Sequence, residues 1–149
     1  MGARQKSTKF WDNQSKHIQT WICNKNYKVV YHTDADDRLC FEAKTIYIDS
    51  RQHAENRFYT LLHECGHLLI SQTASQFAKD YPLYAFACDN RRSKSKAYQV
   101  SLVAEEIEAW KRGRRLASKF NLFVDDYKFN KVMTDCVMSY IADAATIAG

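Results

Sequence analysis

Proline and glycine are scarce, with one proline, Pro82, and four glycines in 149 residues. Long flexible linkers are therefore not expected, and the length suits one domain, residues 1–149, built around a single core. No stretch is long and apolar enough to span a bilayer as a helix. The opening MGARQKSTKFWDNQSK lacks the apolar run of a secretory signal, and Lys6 stands where a myristoylation pattern wants Ser or Thr. The five cysteines are odd in number, scattered and without a CxxC pair. That argues against a disulfide framework and against a cysteine-built zinc site. Together these absences predict a protein of a reducing compartment, the cytoplasm, or the host cytoplasm if the gene is viral.

A strong charge imbalance is also missing. The net charge is +5, and its densest parts are RRSKSK (Arg91–Lys96) and KRGRR (Lys111–Arg115). Such runs can contact phosphates or an acidic partner. The competing reading is a solvated loop and the wet face of a helix.

What is present is periodicity. Trp11, Ile18, Trp21 and Ile22 recur at helical intervals over residues 8–23. NYKVVYHT (Asn26–Thr33) is β-branched and aromatic and reads as a strand, DADDR as a turn, and LCFEAKTIYIDS as one or two short strands. Asp49 and Ser50 can cap a helix from near His53 to Ser71. Residues 73–96 read as irregular, with room for a short helix. A long helix is expected over about 97–120, and another, starting at Asp125–Asp126 or Asn130, reaches Ile147 with Val132, Met133, Cys136, Val137, Tyr140 and Ile141 on one face. Strands grouped ahead of helices predict an α+β fold, with a small, mostly antiparallel sheet packed on helices.

Within the second helix lies FYTLLHECGHLLISQ. His63 and His67 are four residues apart and share a helix face, so their imidazoles can aim at one point. Zinc accepts such nitrogens at about 2.0–2.1 Å. Glu64 adjoins them and can act as general base toward a water on the metal's open side. The pattern is HExxH. Three ionisable groups among Leu61, Leu62, Leu68, Leu69 and Ile70 are costly to bury unless something compensates them.

A catalytic zinc needs a third protein ligand. The residues just after His67 supply no His or Asp, but the later helix carries Glu105, Glu106 and Glu108. At about 100° per residue, Glu106 sits in mid-face, with Trp110 and Ala117 on one side and Leu102 and Phe120 on the other. Glu105 lies on the flank and Glu108 points toward solvent. Glu106 is thus the expected third ligand, with Glu105 as the alternative should the helix phase slip. An arginine, Arg91 or Arg92, is the competing partner for Glu106. Tyr81, Tyr84, Tyr98 and Tyr140 are candidate donors to a transition-state oxyanion, and Cys65 reads as packing.

With these residues in place, the chain resembles a zincin metallopeptidase with a distal glutamate ligand, most closely the ImmA/IrrE-like peptidases. HExxH at His63–His67 is followed by an E-x-x-A context at Glu106–Ala109, over roughly residues 40 to 120. The resemblance implies a compact α+β domain with one zinc, an edge strand that aligns an extended substrate, and cleavage of a specific cytoplasmic protein, often a DNA-binding regulator. Trp110 departs from the small polar residue usual at that position. The SprT-like group is a more distant relative, in which the third ligand is a histidine where Ser71 stands here. A zinc endopeptidase is therefore the leading expectation. A zincin-fold protein that grips a regulator without cleaving it is the alternative, and nucleic-acid association through the basic runs is a third possibility.

Overall fold

The computed structural model describes residues 5–34, 36–82 and 95–148. Helix α1 (Thr8–Asn24) is followed by strands β1 (Lys28–His32), β2 (Arg38–Cys40) and β3 (Thr45–Asp49). Helices α2 (Ala54–Gln72), α3 (Ala74–Asp80), α4 (Lys96–Lys119) and α5 (Asp126–Ala148) complete the chain. The class is α+β, as the grouping of strands before helices predicts. The short helix allowed for within residues 73–96 is α3.

The sheet is not mostly antiparallel. Its order is β1-β3-β2. β2 pairs antiparallel with β3, but the longer pairing, Lys28↔Thr45 through His32↔Asp49, is parallel. β2 and its turn serve as the crossover that lets β3 enter beside β1 in the same direction. Local pattern could not show this, because strand order is decided by what the sheet packs against. β3 is central, and its Ile46 and Ile48 are fully buried.

Helix starts follow local chemistry. Ser7 accepts from the Phe10 amide and Ser95 from the Tyr98 amide, each satisfying one of the orphan N–H groups of a first turn. Asp125 accepts from the Lys128 amide at the start of α5. The cap of α2 differs from expectation. His53 fills it, accepting from the Asn56 amide through Nδ1, while Asp49 ends β3 and binds Arg51. With glycine so scarce, Asn26, Lys44 and Asn121 take the left-handed turn positions. Asparagine tolerates these better than most residues.

α2 is the axis of the core. Phe58, Leu61, Leu62 and Cys65 are fully buried, and each large apolar side chain so placed contributes about 1.5–3 kcal/mol. Trp11, Ile18 and Ile22 of α1 cover one flank. Gln14 fastens α1 to the α4–α5 turn by exchanging hydrogen bonds with the backbone of Phe123. On α5, Val137 is buried and Val132, Met133 and Cys136 pack on the core. Ile141, expected on the same face, is 42% exposed, because the last turns of α5 run past the end of the core. Among the described residues, no helix is long and apolar enough to cross a membrane.

Two glycines set the spacing of α2 and α4. A Cβ on Gly66 would lie 1.8 Å from the carbonyl oxygen of Ala109, and one on Gly113 would lie 2.2 Å from that of Leu62. The two backbones therefore touch where ordinary side chains would hold them apart. Gly66 lies inside the histidine motif, and Ala109 lies one turn beyond Glu106.

Candidate metal centre

The close crossing brings three donors together. His63 Nε2 lies 2.9 Å from Glu106 Oε2. His67 Nε2 lies 3.1 Å from Glu106 Oε1, and the two Nε2 atoms are 3.1 Å apart. His63, His67 and Glu106 form a group that can hold a metal ion. Donors bound at about 2.0–2.1 Å in tetrahedral geometry stand about 3.3 Å apart, close to the 3.1 Å between the two Nε2 atoms, while each imidazole meets a different oxygen of Glu106. Two ring nitrogens facing each other require a shared proton or a cation between them. The chemistry of the set, two imidazoles and a carboxylate, fits a divalent ion of borderline softness.

The electrostatics are those of a buried triad of ionisable groups. Burial opposes ionisation of Glu106, but hydrogen bonds to His63 and His67 outweigh it and hold the carboxyl at about 2. Burial lowers the pKa of His63, with Glu106 pulling the other way. Burial likewise opposes protonation of His67, yet Glu105 and Glu106 raise it to about 10. A divalent cation would take the place of the proton His67 otherwise holds.

The surrounding residues orient the donors. Glu105 Oε1 stands 3.4 Å from Nδ1 of His67, on the ring edge away from the donor atom. It therefore supports His67, in the manner of the carboxylates that commonly back metal-binding histidines, while Glu106 occupies the donor position. Trp110 stacks on His63 at 4.2 Å with the rings 7° apart. Its bulk fixes the plane of the imidazole, a role that the departure at this position left unassigned in the sequence. Glu108 faces away and pairs with Arg112 and Arg115. Arg91 and Arg92, the competing partners for Glu106, lie outside the described residues.

Glu64 is 4% exposed and lines a cleft of about 800 Å³ together with His63 and His67. His63 Nδ1 stands 3.6 Å from its carboxyl, beyond hydrogen-bond length. Burial pushes its carboxyl up to about 8. The cleft is also lined by Arg38 and Leu39 of β2 and by Cys136 and Tyr140 of α5. Of the four candidate tyrosines, Tyr140 reaches the site. Its phenol lines the cleft, and burial, with the nearby charge of Glu106, raises its pKa. Tyr81 packs on Phe77, Tyr98 does not line the cleft, and Tyr84 lies outside the described residues. Cys65 is fully buried in the core, as a packing residue should be. Ser71, the position weighed for a histidine ligand, donates to the Leu68 carbonyl instead.

The basic runs are less free than their sequence suggests. Arg112 and Arg115 are paired with Glu108, Arg114 with Asp126, and Gly113 is buried. Residues 91–94 of the other run lie outside the described residues. No family model, curated protein or solved structure matches the chain.

Proposed function

We propose that this chain is a zinc-dependent endopeptidase of the zincin type, most like the ImmA/IrrE-like peptidases, in which His63, His67 and Glu106 hold the metal and Glu64 is the general base. The observation that carries this reading is the convergence of the three donors within 4.8 Å of one another beside a buried carboxylate in an open cleft. Two of the donors are one helical turn apart, and the third comes from a helix brought into backbone contact.

A bound zinc would supply Lewis acidity toward water and toward the peptide carbonyl. The remaining work falls to the chain. Glu64 takes the proton of the attacking water as the new C–O bond forms. It holds that proton on its carboxyl and delivers it to the amine as the C–N bond breaks. A carboxylate with raised proton affinity suits this double duty. The Tyr140 phenol, which lines the same cleft, is the donor available to the developing oxyanion. Among the described residues β2 has β3 on one side only, so its outer edge can pair with an extended peptide. The substrate would be a protein, a DNA-binding regulator in the cytoplasm being the kind the resemblance suggests.

The decisive comparison is wild type against Glu64→Gln. The variant should keep one zinc per chain and lose cleavage of added polypeptide by several orders of magnitude. Full activity in that variant would rule the mechanism out. A protein that only grips its partner has no use for a carboxylate buried at this point, so loss of function confined to cleavage separates the two readings.

A further inference from the structure

The cleft carries charge of the opposite sign to its chain. The protein is net positive by +5. Yet, among the described residues, the cleft walls present six carboxylates, on Asp36, Asp37, Asp49, Glu64, Glu105 and Asp143, against a single arginine, Arg38. Glu106 lies just beneath. A dication held by the donors would not reverse the sign.

These carboxylates are not equally available. Glu105 is engaged with His67. Asp37 accepts from the Asp49 amide and from Gln52, and Asp49 is held by Arg51. Asp36 and Asp143 are exposed and form no hydrogen bond or ion pair among the described residues. They come from different elements lining the cleft, Asp36 just before β2 and Asp143 on α5. Arg38 is held over the ring of Tyr47, 4.6 Å from its centroid. A second observation is independent of this pair. Glu64, almost fully buried, lines the same cleft with no hydrogen bond to any of the described residues, so the cleft's floor as well as its rim can take a ligand.

We propose that the cleft selects a cationic, lysine- or arginine-rich segment of an extended polypeptide, with Asp36 and Asp143 as the specificity-determining residues that meet its basic side chains. This rests on the peptidase reading above and assigns its substrate class. Low-dielectric walls of one sign focus the field inside a cleft. The same walls repel a phosphodiester backbone, so the basic segment of a nucleic-acid-binding protein fits here and nucleic acid does not. Non-specific attraction to a chain of net charge +5 would favour acidic peptides, so a preference for basic ones has to come from the cleft.

The test uses zinc-loaded full-length Glu64→Gln protein and fluorescent peptides of one length and one apolar centre, flanked by lysines, glutamines or glutamates. Anisotropy should rank lysine above glutamine above glutamate, with the lysine peptide's affinity falling as salt is raised. Asp36→Asn and Asp143→Asn should each weaken the lysine peptide about two- to fivefold. Replacing both with lysine should reverse the ranking. Both sites are exposed, so an unchanged melting temperature will show that the fold is kept. Equal or tighter binding of the glutamate peptide would overturn the proposal, as would indifference to the paired lysine substitution. The same peptides given to the protein with Glu64 intact separate the two levels of inference. The charge ranking without any cleavage sinks the peptidase reading and leaves the selectivity standing. Cleavage without charge preference does the reverse.

Discussion

Gly66→Ala tests the geometric origin of the site. The added Cβ would lie 1.8 Å from the Ala109 carbonyl oxygen, whereas real Cβ contacts stay beyond 3.0 Å, so α2 and α4 must part locally by at least 1.2 Å. His67 is the next residue on α2, and Glu106 is one turn from Ala109 on α4. The donor edges of 2.9–3.1 Å would open by an amount several times the tolerance of about 0.2 Å on metal–ligand distances. Zinc affinity should fall on the order of 100-fold, at or above the loss usual for removing a supporting partner. Stability should fall as well, because the atoms met are backbone and cannot step aside cheaply. Alanine gains about 1 kcal/mol of helix propensity over glycine, set against about 1–3 kcal/mol for overpacking. Zinc affinity would be read by competition with a chromophoric chelator, and stability by urea denaturation of metal-free protein. Phe58→Leu, equally buried on α2 but away from the crossing, serves as the control that loses stability and keeps zinc. If Gly66→Ala binds zinc within a factor of two of wild type, close backbone approach is not what assembles the donors.

Other outcomes follow from the same coordinates. Glu105→Gln should weaken zinc about tenfold without abolishing binding, whereas Glu106→Gln should reduce zinc stoichiometry at micromolar metal to near zero. Equal losses in the two would make Glu105 a ligand. Removing zinc by chelation should lower the thermal midpoint by the equivalent of about 2.7 kcal/mol relative to metal at 100 times its dissociation constant, and Glu106→Gln should show no such shift in a calorimeter. Burial raises the Asp37 carboxyl above its ordinary value, chiefly by desolvation. The unfolded chain therefore loses that proton first as pH rises, so Asp37 costs stability at neutral pH that it does not cost in acid. The melting temperature of Asp37→Asn relative to wild type should increase from acid to neutral pH, and a decrease would contradict the sign of the shift.

Much of the fold was legible because its signals are local. Trp11, Ile18 and Ile22 recur at the helical period, so α1 could be read from them, whereas the cap of α2 fell to His53 and not to Asp49 or Ser50. His63 and His67 share a face because four residues nearly complete a turn. Glu106 was picked out by phase alone, since each helical residue has a fixed angle about its axis. Other features were hidden because they depend on contacts between distant segments. The parallel pairing of β1 with β3 is one, since sequential strands joined by short turns read more naturally as hairpins. The stack of Trp110 on His63 and the placement of Glu105 behind His67 are others.

The sequence by itself fixed which side chains are chemically able to form the site and which helix faces carry them, because rotation about a helix axis is set by the backbone. It did not fix that those faces meet. That was decided by the packing of α2 against α4, where the missing side chains of Gly66 and Gly113 let two backbones touch and bring a carboxylate forty residues away within hydrogen-bond reach of two imidazoles. Distances of this kind belong to pairs of elements, and no single segment encodes them.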